Sequence, residues 1–132
     1  MSPTQALRSI GTGCTFDWVS DEAIGEANAL LDPDPYARAQ LAVLVDLLKR
    51  GVVRKGKDYR QMVIVEDEPP LYELRLRTTT PELRLYFIEE SHHDGVHVIG
   101  LMLAPKPSGT PAEQRIAQNL DATNAYERRP DS

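Results

Sequence analysis

Two short runs hold most of the residues that could do chemistry, ELRLR at 73–77 and ELRLY at 82–86, joined by TTTP. Both alternate polar and apolar residues, the period of a half-buried strand, so they are expected to pair as a hairpin. Tyr72, Leu74 and Leu76 then share a face with Leu83, Leu85 and Phe87. Glu73, Arg75, Arg77, Glu82, Arg84 and Tyr86 share the other. With TTTP as a four-residue loop, Arg77 pairs with Glu82, Arg75 lies opposite Arg84, and Glu73 lies opposite Tyr86. Like charges directly across a strand pair are destabilising. Two arginines kept in that position suit an anion, because a guanidinium donates two parallel hydrogen bonds to a phosphate. Glu73 and Tyr86 beside them could exchange protons with a substrate. The plainer alternative is a solvated sheet face on which Glu73 and Glu82 neutralise the arginines.

The rest of the chain must supply the scaffold. Residues 1–13 read as a flexible lead-in and 129–132 as a tail around a single domain at 14–128. Cys14–Val19 is aromatic and β-branched, so it is expected as a first strand. Ser20 or Asp21 can cap a helix through DEAIGEANALL. Asp34 caps a second helix, with Pro35 at its first position and a stripe of Ala37, Leu41, Leu44 and Leu48. Lys49, Arg50 and Gly51 end it. Only DPDP separates the two helices, so they are expected as a helical hairpin. Residues 51–60 read as a basic loop, 62–65 as a short strand, ESHHDG as a turn and VHVIGLML as a strand. Thr110-Pro111-Ala112-Glu113 is a capping box that opens a final helix to about Tyr126. The expected fold class is α+β, a small antiparallel sheet packed on an N-terminal helical hairpin with a C-terminal helix.

Composition narrows the functional classes. The chain has 132 residues, 41% hydrophobic and 27% charged, enough for a packed core. No apolar run approaches the roughly 20 residues that span a bilayer, so no membrane partner is expected. A single cysteine, Cys14, fits a reducing, cytoplasmic setting and a buried structural thiol. Fifteen basic against twenty acidic residues give a net charge of −5, yet residues 49–84 hold nine basic and six acidic side chains. The +3 of that segment makes a local positive patch on an acidic body. Within it Arg54, Lys55, Lys57 and Arg60 could track an RNA backbone. His92, His93 and His97 have a spacing that a hairpin could bring together, but HHDG is also good turn chemistry, and neither a metal nor a small-molecule cofactor is expected.

Taken together, LYELRLR, ELRLYFIEE and VIGLMLAPKPSGTPAEQRIAQNLDATNAYERR resemble the RelE/ParE toxin superfamily, in particular its phage-derived HigB-like branch. The resembling positions are Glu73-Leu74-Arg75, Arg84-Leu85-Tyr86-Phe87, Lys106, Thr110-Pro111, Glu113 and Tyr126. The resemblance implies a toxin of a type II toxin-antitoxin system. Such a toxin cuts mRNA, often on the ribosome, by metal-free attack of the 2′-hydroxyl on phosphate, and a cognate antitoxin protein silences it. It implies that Arg84 stabilises the transition state, that Arg75 and Arg77 position phosphates, that Lys106 neutralises charge, and that Glu73 is the nearest base or else a salt-bridging scaffold residue. Ala112 stands where some members carry a tyrosine. That departure supports a second reading, a weakened or inactive interaction protein of the same fold that binds a host protein or RNA.

Overall fold

The computed structural model describes residues 6–62, 69–77, 79 and 81–130. Its elements run β1 (Thr15–Trp18), α1 (Asp21–Leu31), α2 (Pro35–Arg50), β2 (Tyr59–Gln61), β3 (Tyr72–Leu76), β4 (Leu83–His92), β5 (Gly95–Pro105) and α3 (Pro111–Glu127). The class is α+β, with the strands in one sheet of order β1-β5-β4-β3-β2. The expected antiparallel sheet is instead mixed. β1 runs parallel to β5, with Phe16 opposite Val98 and Trp18 opposite Gly100, while the other pairs are antiparallel. β1 and β5 are far apart in sequence, so no tight turn imposes an antiparallel direction on them. A Cβ at Gly100 would lie 2.8 Å from the Phe16 ring, so glycine is what lets the Phe16–Trp18 pair cross β5.

Both sheet faces are covered. On one, Ala27 and Leu31 of α1 and Leu41, Leu44 and Leu48 of α2 pack on Tyr72, Leu74, Leu76, Leu83, Leu85 and Phe87. Every leucine of the β3–β4 hairpin faces this side, as the alternation predicts. On the other face Ala122, Ala125 and Tyr126 of α3 meet Tyr86, Ile88, Leu101 and Met102. A bulge opposite the Tyr86/Phe87 step turns both Leu101 and Met102 toward α3. The helices begin where the caps predict: Ser20, Asp34 and Thr110 side chains accept from the backbone N–H groups of Ala23, Ala37 and Glu113.

Four expectations change. The ladder closes at Leu76–Leu83, and the Arg77–Glu82 pair does not form. The Thr79 hydroxyl takes over there, donating to Leu76 O at 2.8 Å and accepting from Leu83 N at 3.1 Å. Arg77 donates to Gly56 O, and Glu82 lies 3.8 Å from Lys106. The basic loop is shorter than expected, because Tyr59, Arg60 and Gln61 pair with Leu74, Glu73 and Tyr72. Of the strand expected at 62–65, positions 63–65 lie outside the described residues. The HHDG turn shrinks to His93 and Asp94, because Ser91 and His92 stay paired with Val96 and Gly95. The described part of the lead-in is packed. Leu7 is buried, and the backbone N–H groups of Arg8 and Ser9 donate to the Glu89 carboxylate at 2.7 and 3.0 Å.

Gly51 ties that packed segment to the end of α2. Its φ is +75°, and an added Cβ would approach Ser9 O to 2.3 Å. Gly51→Ala is expected to lose about 1–3 kcal/mol, the usual cost of a side chain in the left-handed region, or more where the contact cannot relax. Urea denaturation of both proteins measures this, and an unchanged midpoint would show that the junction yields freely.

Candidate functional site

The hairpin register is the one that puts like charges together: Arg75 opposite Arg84, and Glu73 opposite Tyr86. On the other side of β3, Arg60 of β2 stands opposite Glu73. Three arginines from three strands therefore surround one glutamate, and the face they share lies under α3.

Glu73 is fully buried. Its Oε1 accepts from Arg60 Nε at 2.9 Å and from Arg75 Nε at 3.1 Å. Its Oε2 accepts from Arg84 Nη1 at 3.3 Å and from Gln118 Nε2 of α3 at 3.0 Å. An ionised carboxylate has about four lone-pair sites, and four donors fill them. The anion between the two facing arginines is thus an internal side chain. This offsets the like-charge repulsion that the hairpin pattern otherwise carries. Neither an open phosphate cradle nor a solvated face results. Arg84 is only 7% exposed, and its Nε is buried without an acceptor among the described residues.

The cluster still carries more positive than negative charge, three guanidinium groups against one carboxylate. The excess faces outward through Arg60, whose side chain is 40% exposed, and less through Arg75. Burial, and then the charge of Arg60, draw the Arg75 guanidinium below its ordinary value, with Glu73 opposing. Arg77 lies close enough to add to the same effect, and by bonding to Gly56 O it joins the hairpin to the loop of Arg54, Lys55 and Lys57. Arg54 pairs with Asp58, at 3.8 Å, while Lys55 and Lys57 are exposed.

The structure therefore brings together Glu73, Arg60, Arg75 and Arg84, with Arg77 and the basic loop alongside. Two members of the expected catalytic set do not join the cluster's hydrogen bonds, one distant and one beside it but buried. Lys106 sits at the end of β5 beside Glu82. Tyr86 is buried under α3, and burial, reinforced by the charges of Glu73 and Asp121, pushes its phenol far above its ordinary value. A buried neutral phenol is not a base at neutral pH, and a carboxylate held by four donors has no lone pair free for a substrate proton. What the cluster can do is attract and orient an anion along its outer flank.

Gln118 is the site residue the hairpin pattern did not show. The available signal was the spacing in α3. Gln114 and Gln118 are four residues apart, as are Arg115 and Asn119, which makes a polar stripe along the helix. At the other end of the sheet, His97 engages Asp94 through Nε2 at 2.9 Å and Thr15 through Nδ1 at 3.1 Å. Among the described residues no group of three His, Cys, Asp or Glu side chains is placed to hold a metal. The Cys14 thiol donates to Leu48 O, and burial raises it above its ordinary value. No helix among the described residues is long and apolar enough to cross a membrane. Searches against protein-family models, curated proteins and solved structures find no match to this chain.

Glu73→Gln removes the charge that holds Arg75 and Arg84 in opposition. Unpairing a buried ion typically costs about 3–5 kcal/mol, and urea denaturation should show a loss of that order. Combining it with Arg84→Met should cost clearly less than the sum of the single changes, since the two groups are directly bonded. Additive losses would mean that the pair is uncoupled.

Proposed function

We propose that this chain is a toxin of the RelE/ParE superfamily, in its HigB-like branch. On this reading it acts in the cytoplasm as an endoribonuclease on mRNA, on or off the ribosome, and a cognate antitoxin protein silences it. The observation that supports the reading is the cationic edge of the sheet. Arg54, Lys55, Lys57 and Arg77 cluster there, flanked by Arg60 and Arg75. Such an edge attracts phosphates with no need for sequence-specific contacts, and attracts an acidic antitoxin segment equally. The RelE-like arrangement itself, with α1 and α2 as an N-terminal helical hairpin, belongs to the proposal. It is supported by the three-residue link between two helices that pack on one sheet face.

The state of Glu73 and Tyr86 shapes the mechanism proposed. Guanidinium groups stabilise the charge that grows on the phosphate as the 2′-hydroxyl attacks, and neither Glu73 nor Tyr86 moves a proton. The same state favours a second reading, a non-catalytic interaction protein of this fold that binds RNA or a host protein. The two part on whether RNA is cut.

Induced in a bacterial host, the wild-type chain should arrest growth and create new mRNA 5′ ends. The variant Lys57→Glu/Arg77→Glu lies on the exposed edge and spares the Glu73 cluster. It should fold normally and abolish both effects. Normal growth with intact mRNA from folded wild-type protein would sink the nuclease and leave the binding protein.

A further inference from the structure

The two edges of the sheet are defended differently. β2 is surrounded by cations: Arg60 within it, and Lys55, bridged to Tyr59, with Lys57 in the loop before it. Charge of that kind keeps a further strand away from an edge. β1, at the other edge, has no lysine, arginine or proline, only Thr15, Phe16, Asp17 and Trp18. Phe16 and Trp18 are half-buried on the face of α1 and α2, while Thr15 and Asp17 are exposed on the opposite one.

The backbone of β1 leaves two residues open. In a parallel ladder alternate residues turn their N–H and C=O groups to the neighbouring strand. Val19 N donates to Gly100 O at 2.9 Å, so Thr15, Asp17 and Val19 are the residues turned to β5. The N–H and C=O of Phe16 and of Trp18 therefore point outward. Beyond this stretch the edge is closed. The Cys14 N–H, on the same outward side, is taken by Lys49 O at 2.9 Å, and Ser20 caps α1.

Beside the open edge, Phe16 and Trp18 join Ile24 and Ala27 of α1 and Ala42 and Val45 of α2 around an apolar groove of about 280 Å³. It has room for a large apolar side chain. Arg38 is the one charged residue among the described lining, and Asp32 and Asn28 hold it at 2.6 and 3.3 Å. The surroundings are acidic. Residues 14–37 hold six acidic side chains and no basic one, and Asp17, Asp21 and Glu22 are exposed.

We propose that this edge takes an extended basic segment of a partner protein as a further strand, antiparallel to β1. Directly opposite residues in such a pair share a face. Those opposite Phe16 and Trp18 turn toward the groove, so they are apolar. The residue between them lies opposite Asp17 on the other face, so it is lysine or arginine. The segment reads apolar, basic, apolar, and the backbone groups of Phe16 and Trp18 hold it. A second copy of this chain is the poorer occupant. Self-pairing centred on Asp17 sets two aspartates face to face. Centred on Phe16, it drives Trp18 of the second copy onto the Lys49 carbonyl at Cys14. Centred on Trp18, it brings Phe16 against the Ser20 cap of α1. The site lies at the opposite edge from the cationic one and does not depend on the RNA-directed reading.

The test is a titration of the ¹⁵N-labelled full chain with the capped peptide Thr-Leu-Lys-Leu-Thr, followed by NMR. Signals of residues 15–19 and of α1 and α2 beside the groove should shift. N-methylation of both leucines removes the N–H groups that face β1 and should abolish the shifts. Glutamate in place of the lysine should weaken binding roughly fivefold, about what exchanging an opposite for a like charge across a strand pair is worth. Asp17 is exposed, so Asp17→Lys should fold normally and reverse that preference. No shift in residues 15–19, equal binding of the lysine and glutamate peptides, an unaffected N-methyl peptide, or a preference that Asp17→Lys leaves in place would each overturn the proposal. So would a free chain that sediments as a dimer with residues 15–19 protected from hydrogen exchange, since a second copy would then hold the edge.

Discussion

The rest of the structure depends on one buried carboxylate. Glu73 is bonded to side chains from β2, β3, β4 and α3 at once. Burying an ion is costly unless its hydrogen-bonding capacity is filled, and here it is filled completely. The consequence is a strict demand on geometry. β2 must pair with β3 in the register that sets Arg60 opposite Glu73, β4 must set Arg84 opposite Arg75, and α3 must lie close enough for Gln118 to reach. A slip of one residue in either strand would carry a charged side chain to the leucine face. The cluster acts as a register lock as much as an ion-pair network.

That lock also explains why the molecule has two unlike faces. The leucine face is an ordinary core, sealed by α1 and α2. The opposite face is divided. Its β4–β5 part is apolar and holds the second half of α3 tightly, while its β2–β3 part is polar and keeps the first half at a distance. A helix cannot press apolar side chains onto a cluster of guanidinium groups without stripping their partners. The polar cleft left between β2 and the first half of α3 is therefore a by-product of the way Glu73 is satisfied, and Arg60 of the same cluster lends it positive charge.

The division bears on chemistry. Arg84 and Tyr86 sit deep beneath α3, whereas Arg77 and the loop of Arg54, Lys55 and Lys57 are on the rim. Charge stabilisation and anion steering are available at the rim. Proton transfer by the hairpin's own acid and phenol is not, because one is saturated and the other is buried.

Much of this was legible in the sequence by itself. The caps at Ser20, Asp34 and Thr110, the glycine end of α2, the leucine stripe of α2 and the face of every hairpin leucine follow from local rules of spacing and hydrogen bonding. So does the opposition of Arg75 and Arg84, which depends on alternation and on the length of one loop. Other features depended on residues distant in the chain. The parallel docking of β1 on β5, the pairing of Arg60 with Glu73 and the reach of Gln118 across to β3 join positions 13 to 82 residues apart. Alternation shows that a glutamate and two arginines share a face. Only the packing of β2 and α3 onto that face decided that the glutamate would be buried, that the arginines would hold it, and that their remaining charge would turn toward the cleft. Local pattern carries the direction of a side chain, but burial and partnership depend on what else arrives at the same place.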